Sequence, residues 1–154
     1  MTERIWTLLT LVAGVGCGLN AGLFFIFSNT IMRALDRLPA AGAVAAMNSI
    51  NRTILNPLFF LVFFGTALLC LVLLVGQLDT PLVLIGALLY LIGSLGVTMI
   101  RNVPLNDQLA KVLPSATDPE NQWKAYRGPW TRWNHLRTVA CLLATVAFIL
   151  SVSA

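Results

Sequence analysis

Four stretches of the chain consist almost entirely of apolar residues, and polar connectors separate them. The stretches cover residues 5–27, 57–76, 81–100 and 134–152. A helix of about 20 apolar residues reaches across the hydrocarbon core of a bilayer, which is about 30 Å thick. The pattern therefore predicts an all-α, integral-membrane four-helix bundle that forms a single domain over residues 1–154. The fourth stretch is short for a full crossing, so its start is expected at the membrane face.

The connector between the first two stretches predicts an amphipathic helix over residues 40–55. Its apolar residues recur on one side of a helical projection and its asparagines on another. Asn56 followed by Pro57 is typical of an N-cap and a first helical residue. The second stretch is therefore expected to begin at Pro57.

The connector between the third and fourth stretches contains several helix boundaries. Pro104 has no amide hydrogen, so a helix is not expected to run through it undisturbed. Residues 105–113 then predict a short amphipathic helix. Residues 118–120 have the cap, proline and acid of a helix start, and residues 128–129 predict the end of that helix. The last helix is expected to begin at Trp130.

Charge predicts how the bundle is oriented. Of 154 residues, 58% are hydrophobic and only 10% are charged, whereas a soluble domain has about a quarter charged residues. Nine of the ten basic residues lie in the two long connectors or, in the case of Arg137, at the start of the fourth stretch. The positive-inside rule therefore predicts that both connectors are cytoplasmic and both termini lie outside the cell membrane. The net charge of +4 does not indicate nucleic-acid binding, because no soluble basic domain is present.

Residues 123–137, WKAYRGPWTRWNHLR, contain the candidate chemistry. They include three tryptophans, a tyrosine, the only histidine of the chain and four basic residues. Asn134 and Arg137 are one helical turn apart at the start of a span, where an amide and a cation are costly to insert, so we expect them in a buried polar network. Both connectors are predicted at one membrane face, so this segment and the Pro104 turn are expected to form one site over the mouth of the bundle.

The first apolar stretch also contains three regularly spaced glycines and one asparagine. Gly14, Gly18 and Gly22 repeat every four residues, which lets a neighbouring helix approach closely. Packing within the bundle is favoured over a dimer contact, and a homo-oligomer is left open. For Asn20, structural hydrogen bonding and pocket lining are equally consistent with the pattern.

Metal binding is not expected from the sequence. The three cysteines, Cys17, Cys70 and Cys141, lie singly in apolar stretches, where packing in the core is their usual role. One histidine and no close group of carboxylates provide too few ligands for a metal ion. The sequence therefore predicts neither a metal site nor another cofactor.

Four segments carry a resemblance to a known family. They are AGLFFIFSNTIM after the first stretch, INRTILNP, NVPLND, and WTRWNHLRTVA at the start of the fourth. In this order they resemble the anthrone oxygenase-like family of small integral-membrane proteins, and in particular its bacterial branch, whose reactions are mostly unassigned. The resemblance implies a cofactor-independent oxidation of an anthrone-type or other hydroxylated aromatic by dioxygen.

That reaction requires a base, donors to an oxyanion and flat apolar walls. His135 is the natural base because it titrates near neutral pH, and Asp107 is the reserve candidate. Hydrogen bonds to the oxyanion are expected from Arg137, Asn134 and Asn106. The residues expected to contact the substrate are Trp123, Trp130, Trp133, Asn20, Asn51 and Phe24.

Each of these residue types also has a simpler explanation. Tryptophans near a membrane face usually form an interfacial belt, and arginines there usually set topology. Residues such as His135 and Asn106 are common at interfaces and in turns without any catalytic role. The alternative function is therefore a small non-enzymatic membrane protein that binds a hydrophobic ligand or is a subunit of a membrane complex.

Overall fold

A computed structural model describes residues 2–112 and 118–153, and this part of the chain is helical without a β-strand. It forms five helices: α1 (Thr2–Leu35), α2 (Ala40–Thr53), α3 (Pro57–Gly76), α4 (Pro81–Ala110) and α5 (Pro119–Ser153). Four of them, all except α2, are long and apolar enough to cross a membrane. The chain is therefore an all-α, multi-pass membrane protein, as predicted.

The four long helices pack in a ring, in which α1 contacts α3 and α5, and α4 contacts the same two helices. Small residues permit the closest approaches. A Cβ atom built on Gly14 would lie 3.4 Å from the Cβ atom of Phe148, and one built on Gly93 only 2.5 Å from the Cβ atom of Ala140. Gly14 and Gly93 thus serve packing between helices of one chain, whereas Gly22 of the predicted set has no neighbour within 4 Å of a built Cβ atom.

The middle of the bundle holds an apolar core. Cys17, Cys70 and Cys141 are fully buried there as free thiols, as predicted. The hydroxyl of Tyr90, which is also fully buried, donates a hydrogen bond of 2.9 Å to the carbonyl of Phe63. This bond joins α4 to α3 just beneath the polar end of the bundle.

A second core closes the polar end of the bundle. Here α2 packs against the first turns of α5 and the end of α4, with Met47 and Leu109 buried beside Trp130. Trp123 and Tyr126 extend the same cluster along α5. The two long connectors therefore meet at one end of the bundle, where the sequence predicts the site.

Three π-helical segments interrupt the long helices near this end. They are Phe27–Ile31 in α1 and Leu91–Gly96 and Thr98–Asn102 in α4. Pro104 provides no amide hydrogen for the carbonyl of Ile100, and the widened turn just before it accommodates the loss. The helix therefore continues past Pro104 to Ala110, disturbed as predicted but not broken.

The helix end predicted at residues 128–129 is wrong. Helix α5 runs without a break from Pro119 to Ser153 and contains Pro129. Tyr126 and Trp130, on either side of Pro129, are both buried and both donate hydrogen bonds to Asn106. These two tertiary hydrogen bonds keep the parts of α5 before and after Pro129 in one helix. Their stabilisation outweighs the loss of the backbone hydrogen bond that proline cannot donate.

The helix starts predicted at Pro57 and at residues 118–120 are confirmed, whereas the start predicted at Trp130 is wrong. Oδ1 of Asn56 accepts a 3.0 Å hydrogen bond from the amide of Phe59, and Oδ1 of Asp118 accepts one of 3.1 Å from the amide of Asn121. Helix α1 extends past residue 27, the predicted end of its span, to Leu35. The predicted end of the short helix at Leu113 lies outside the described residues.

Candidate functional site

A cavity of about 440 Å³ lies inside the polar end of the bundle. Binding sites for small molecules commonly measure about 300–1,000 Å³. Aromatic side chains form much of its wall: Phe24, Phe27, Phe59, Phe60, Phe63, Phe64 and Trp130. Its polar lining residues are Asn48, Asn51, Arg52, Thr98, Asn102, Asn106, Asp107 and Arg137. An apolar wall with a few grouped polar atoms is typical of a site for an aromatic ligand.

The cavity opens between α3 and α4. Phe60 and Phe64 of α3 and Met99 of α4 line it and are also exposed on the outside of the bundle, at 40%, 46% and 51%. This surface belongs to helices long enough to cross a membrane. The opening therefore lies on the apolar outer surface of the bundle.

Arg137 presents a positive charge to the cavity. Its side chain is only 6% exposed. Nη1 donates a 3.0 Å hydrogen bond to Oγ1 of Thr98, and Nη2 donates one of 2.6 Å to Oδ1 of Asn134. The guanidinium carbon lies 4.1 Å from the ring centroid of Phe24 and 5.5 Å from that of Trp130. Nε has no hydrogen-bond partner among the described residues.

This charge has no counter-ion within the described part of the chain. The ion pairs there join Lys124 to Glu120 and Arg127 to Asp36, and neither includes Arg137. A buried cation that lacks an anionic partner is costly, and the aromatic faces around this one compensate only in part. An anionic group in the cavity would therefore be stabilised by Arg137.

Asn134 holds Arg137 in place. Its Nδ2 donates hydrogen bonds of 2.6 Å to the carbonyl of Phe24 and 2.5 Å to Oγ of Ser28. Guanidinium nitrogens only donate, so the atom of Asn134 that meets Arg137 is the oxygen. Asn134 itself does not line the cavity, and it acts as a positioning residue within the predicted buried polar network.

Asn106 joins the end of α4 to the first half of α5. Its Oδ1 accepts hydrogen bonds of 2.9 Å from the hydroxyl of Tyr126 and 2.9 Å from Nε1 of Trp130. An indole nitrogen can only donate, so this contact fixes which end of the amide is oxygen. The Nδ2 group of Asn106 is left as a donor in the lining of the cavity.

Asn102 lines the cavity but was not among the site residues predicted from the sequence. Its side chain is 1% exposed, and Nδ2 donates a 3.3 Å hydrogen bond to the carbonyl of Trp130. Its Oδ1 has no partner within residues 2–112 and 118–153. The signal was present, since Asn102 precedes Asn106 by one helical turn in NVPLND. Asn102 therefore has an unpaired, buried acceptor oxygen next to the cavity.

The predicted substrate contacts divide into two groups. Phe24, Asn51 and Trp130 line the cavity. Trp123, Trp133 and Asn20 contact other parts of the protein. Nε1 of Trp123 donates a 2.8 Å hydrogen bond to Oδ1 of Asp36, and the ring centroid of Trp133 lies 4.8 Å from the guanidinium carbon of Arg101. Nδ2 of Asn20 donates a 2.9 Å hydrogen bond to the carbonyl of Gly16.

The two candidate bases lie on different surfaces. Asp107 lines the cavity, where it is exposed at the rim. His135 is exposed on the other side of α5 and lines a separate groove with Arg33 and Arg132. The role of His135 as a base stays a prediction, and its side chain is outside the cavity that contains Arg137.

A known family model matches the part of the chain that contains three of the four long helices, wholly or in large part. The family model described as anthrone oxygenase matches residues 57–147, which is more than half of the chain. The match runs from the start of α3 into the membrane part of α5, and it includes Asn106 and Arg137. No curated protein and no solved structure matches the chain.

Proposed function

The chain belongs to the anthrone oxygenase family, and on this premise we propose that it oxidises an anthrone-type or other hydroxylated aromatic with dioxygen in the cavity beside Arg137. The observation that carries the proposal is the buried guanidinium, which has no described counter-ion and lines a cavity with aromatic walls. Such a site favours a flat ligand that carries negative charge.

The reaction begins with the loss of a proton from the carbon between two rings. The electron pair spreads into the ring system and places negative charge on its oxygen, opposite Arg137. Nδ2 of Asn106 provides a second donor to this oxygen. A donor fixed in advance at a developing oxyanion accelerates a reaction by about 10²–10³-fold. Arg137 and Asn106 therefore provide the stabilisation that the reaction requires.

We assign the role of the base, which accepts this proton, to Asp107. It is the carboxylate in the described lining of the cavity, and its position at the rim gives the proton a path to water. The electron-rich anion then reacts with dioxygen. One CH₂ group and one O₂ molecule become one carbonyl group and one water molecule, so no external reductant is consumed. Residues of this chain bind the anion, exclude water from it and accept its proton.

The walls select the shape of the substrate. Phe24 and Trp130 flank the guanidinium, and a planar polycycle can stack on their faces. Phe60 and Phe64 border the opening through which such a ligand passes from lipid. The unpaired oxygen of Asn102 accepts a hydrogen bond from a ring hydroxyl, which favours a hydroxylated aromatic over a plain hydrocarbon.

Oxygen consumption with emodin anthrone tests the proposal. Purified protein in lipid nanodiscs is expected to form the quinone faster than empty nanodiscs, with one O₂ consumed for each quinone. Arg137→Met is expected to return the rate to that of empty nanodiscs. Equal rates for the wild-type protein and empty nanodiscs would contradict the proposal.

A second candidate function is the binding of a hydrophobic ligand without chemistry. The opening beside Phe64 and the exposed position of Asp107 favour it, because catalysis by a base usually takes place in a site closed to water. Saturable binding of emodin with no oxidation of emodin anthrone would favour this function.

A further inference from the structure

The groove on the other side of α5 has the features of a second binding site. We propose that it binds an anionic membrane lipid, with the phosphodiester headgroup against Arg33 and Arg132 and an acyl chain along the seam between α1 and α5. This site is separate from the aromatic cavity, and the proposal does not depend on the oxidation.

The groove is wide enough for a headgroup. It measures about 650 Å³ and lies between the end of α1 and the first half of α5. Four basic residues line it, namely Arg33, Lys124, Arg127 and Arg132, together with the hydroxyl of Thr131 and the ring of His135. Asp36 is the acid among its described lining residues.

Internal pairing leaves two of these cations available. Asp36 accepts hydrogen bonds from both Arg127 and Nε1 of Trp123, so its charge is already in use. Nζ of Lys124 lies 3.0 Å from a carboxylate oxygen of Glu120. By contrast, the described ion pairs include neither Arg33 nor Arg132.

Both of these arginines are exposed in the groove. Two unpaired guanidinium groups attract one phosphate monoanion, and each can donate two hydrogen bonds to it. The charge of the groove is therefore complementary to an anionic headgroup.

From the groove, the seam between α1 and α5 continues toward the membrane-spanning part of the bundle, and we infer an apolar recess there from the open space over Gly22. Phe25 lines the groove and is 54% exposed. Further along α1, Gly22 is exposed, and a Cβ atom built on it would meet nothing within 4 Å.

The facing part of α5 is also open to lipid. Leu142 is 50% exposed and lies one turn beyond Thr138 of the groove. The two helices close again at Gly18, where a built Cβ atom would lie 3.8 Å from Thr145. Cationic groups above an apolar recess match an amphiphile, whereas free phosphate would use only the cations.

Basic residues at a membrane face also attract anionic lipids without any specific site. Arg37 and Lys111 provide the comparison, because both are exposed in the same two connectors and neither lines the groove. Removing them changes the net charge of this face by the same amount as removing Arg33 and Arg132. If the lipid binds in the groove, its affinity should fall when Arg33 and Arg132 are replaced and should not change when Arg37 and Lys111 are replaced.

Native mass spectrometry of the detergent-solubilised full chain can measure this binding, with phosphatidylglycerol as the anionic probe and phosphatidylcholine as the zwitterionic one. Wild-type protein is expected to bind phosphatidylglycerol about tenfold or more tightly than phosphatidylcholine. The double variant Arg33→Gln/Arg132→Gln is expected to lose this preference, and Arg37→Gln/Lys111→Gln is expected to keep it. Gly22→Leu, which fills the recess without changing charge, is expected to weaken the binding of both lipids.

Three results would overturn the proposal. The first is equal binding of the two lipids by the wild-type protein. The second is an equal loss of preference in both double variants, since that result indicates only a general surface charge. The third is displacement of phosphatidylglycerol by millimolar glycerol phosphate from wild-type protein and Gly22→Leu alike, because the seam would then contribute nothing.

Discussion

Oδ1 of Asn134 accepts a 2.6 Å hydrogen bond from Nη2 of Arg137, one helical turn further along α5. Thr98 of α4 accepts the bond from Nη1, so two helices fix the plane of the guanidinium. Asn134 is in turn attached to α1 through the carbonyl of Phe24. Three helices of the bundle therefore hold one buried cation against the cavity, and the site is organised before a ligand arrives.

Replacement of Arg137 by lysine is expected to lower kcat/KM for emodin anthrone by about 100-fold or more. Lysine keeps the charge but cannot bond Thr98 and Asn134 while it also faces a ligand. Arg101→Lys is the matched control, because Arg101 is an exposed arginine near the same end of the bundle and lies over Trp133 outside the cavity. Comparable losses in the two variants would show that the fixed guanidinium has no particular role.

Substitutions at Asn106 are expected to separate stability from activity. Asn106→Leu leaves the buried donors of Tyr126 and Trp130 without an acceptor, which costs about 1–3 kcal/mol each. The variant should therefore unfold at a clearly lower temperature. Asn106→Asp keeps an acceptor for both donors, so its Tm is expected to stay closer to that of the wild type.

The same Asn106→Asp variant removes the amide donor and places negative charge in the cavity. Its turnover of emodin anthrone is therefore expected to fall although its fold is retained. Thermal unfolding and quinone formation, measured on the same samples, test both parts. Full activity in Asn106→Asp would contradict a role for the amide donor of Asn106 in the reaction.

A direct comparison of Asp107→Asn with His135→Gln identifies the base. Asp107 lines the cavity and His135 does not, so Asp107→Asn is expected to lower kcat by about 100-fold or more and His135→Gln to change it little. The pH dependence of kcat provides a second measurement, because removal of the base eliminates the corresponding inflection. Loss of activity only in His135→Gln would contradict this assignment and would identify His135 as the base.

The contact between α4 and α5 is expected to tolerate no side chain at Gly93. A Cβ atom there would lie 2.5 Å from the Cβ atom of Ala140, which is attached directly to the backbone and cannot rotate away. Gly93→Ala is therefore expected to destabilise the bundle by about 1–3 kcal/mol. Gly22→Ala is the control, since its Cβ atom meets nothing within 4 Å. Equal unfolding temperatures for the two variants would contradict the close approach of the helices.

The sequence predicted the membrane bundle because length and hydrophobicity nearly determine it. Local signals also located the helix starts, as Asn56 and Asp118 show. Such caps depend on neighbouring residues only. The end predicted at Pro129 failed because it depends on Asn106, which lies in another helix and bonds residues on both sides of the proline.

The candidate site was predicted in outline only. A sequence pattern identifies which residues share a face of one helix, and Asn134 and Arg137 were grouped in this way. It does not identify which face of α5 turns toward the cavity, so the sequence could not show that His135 and Arg137 line different surfaces. The phenylalanines of α3 were missed as walls because all sides of that helix are apolar, and periodicity gives no direction.

The ionisation of a bound phenol tests the central claim most directly. Emodin, the quinone product, changes its visible absorption when a phenol loses its proton, so its titration in nanodiscs can be followed by spectroscopy. Transfer into an apolar cavity alone raises the pKa of a phenol, whereas a cation within about 4–6 Å lowers it by about one to three units. With wild-type protein, the pH midpoint of the emodin titration is expected to be lower than in empty nanodiscs. With Arg137→Met, this midpoint is expected to be higher than in empty nanodiscs. The same midpoint for the wild type and Arg137→Met would contradict the claim that Arg137 compensates an anion in this cavity.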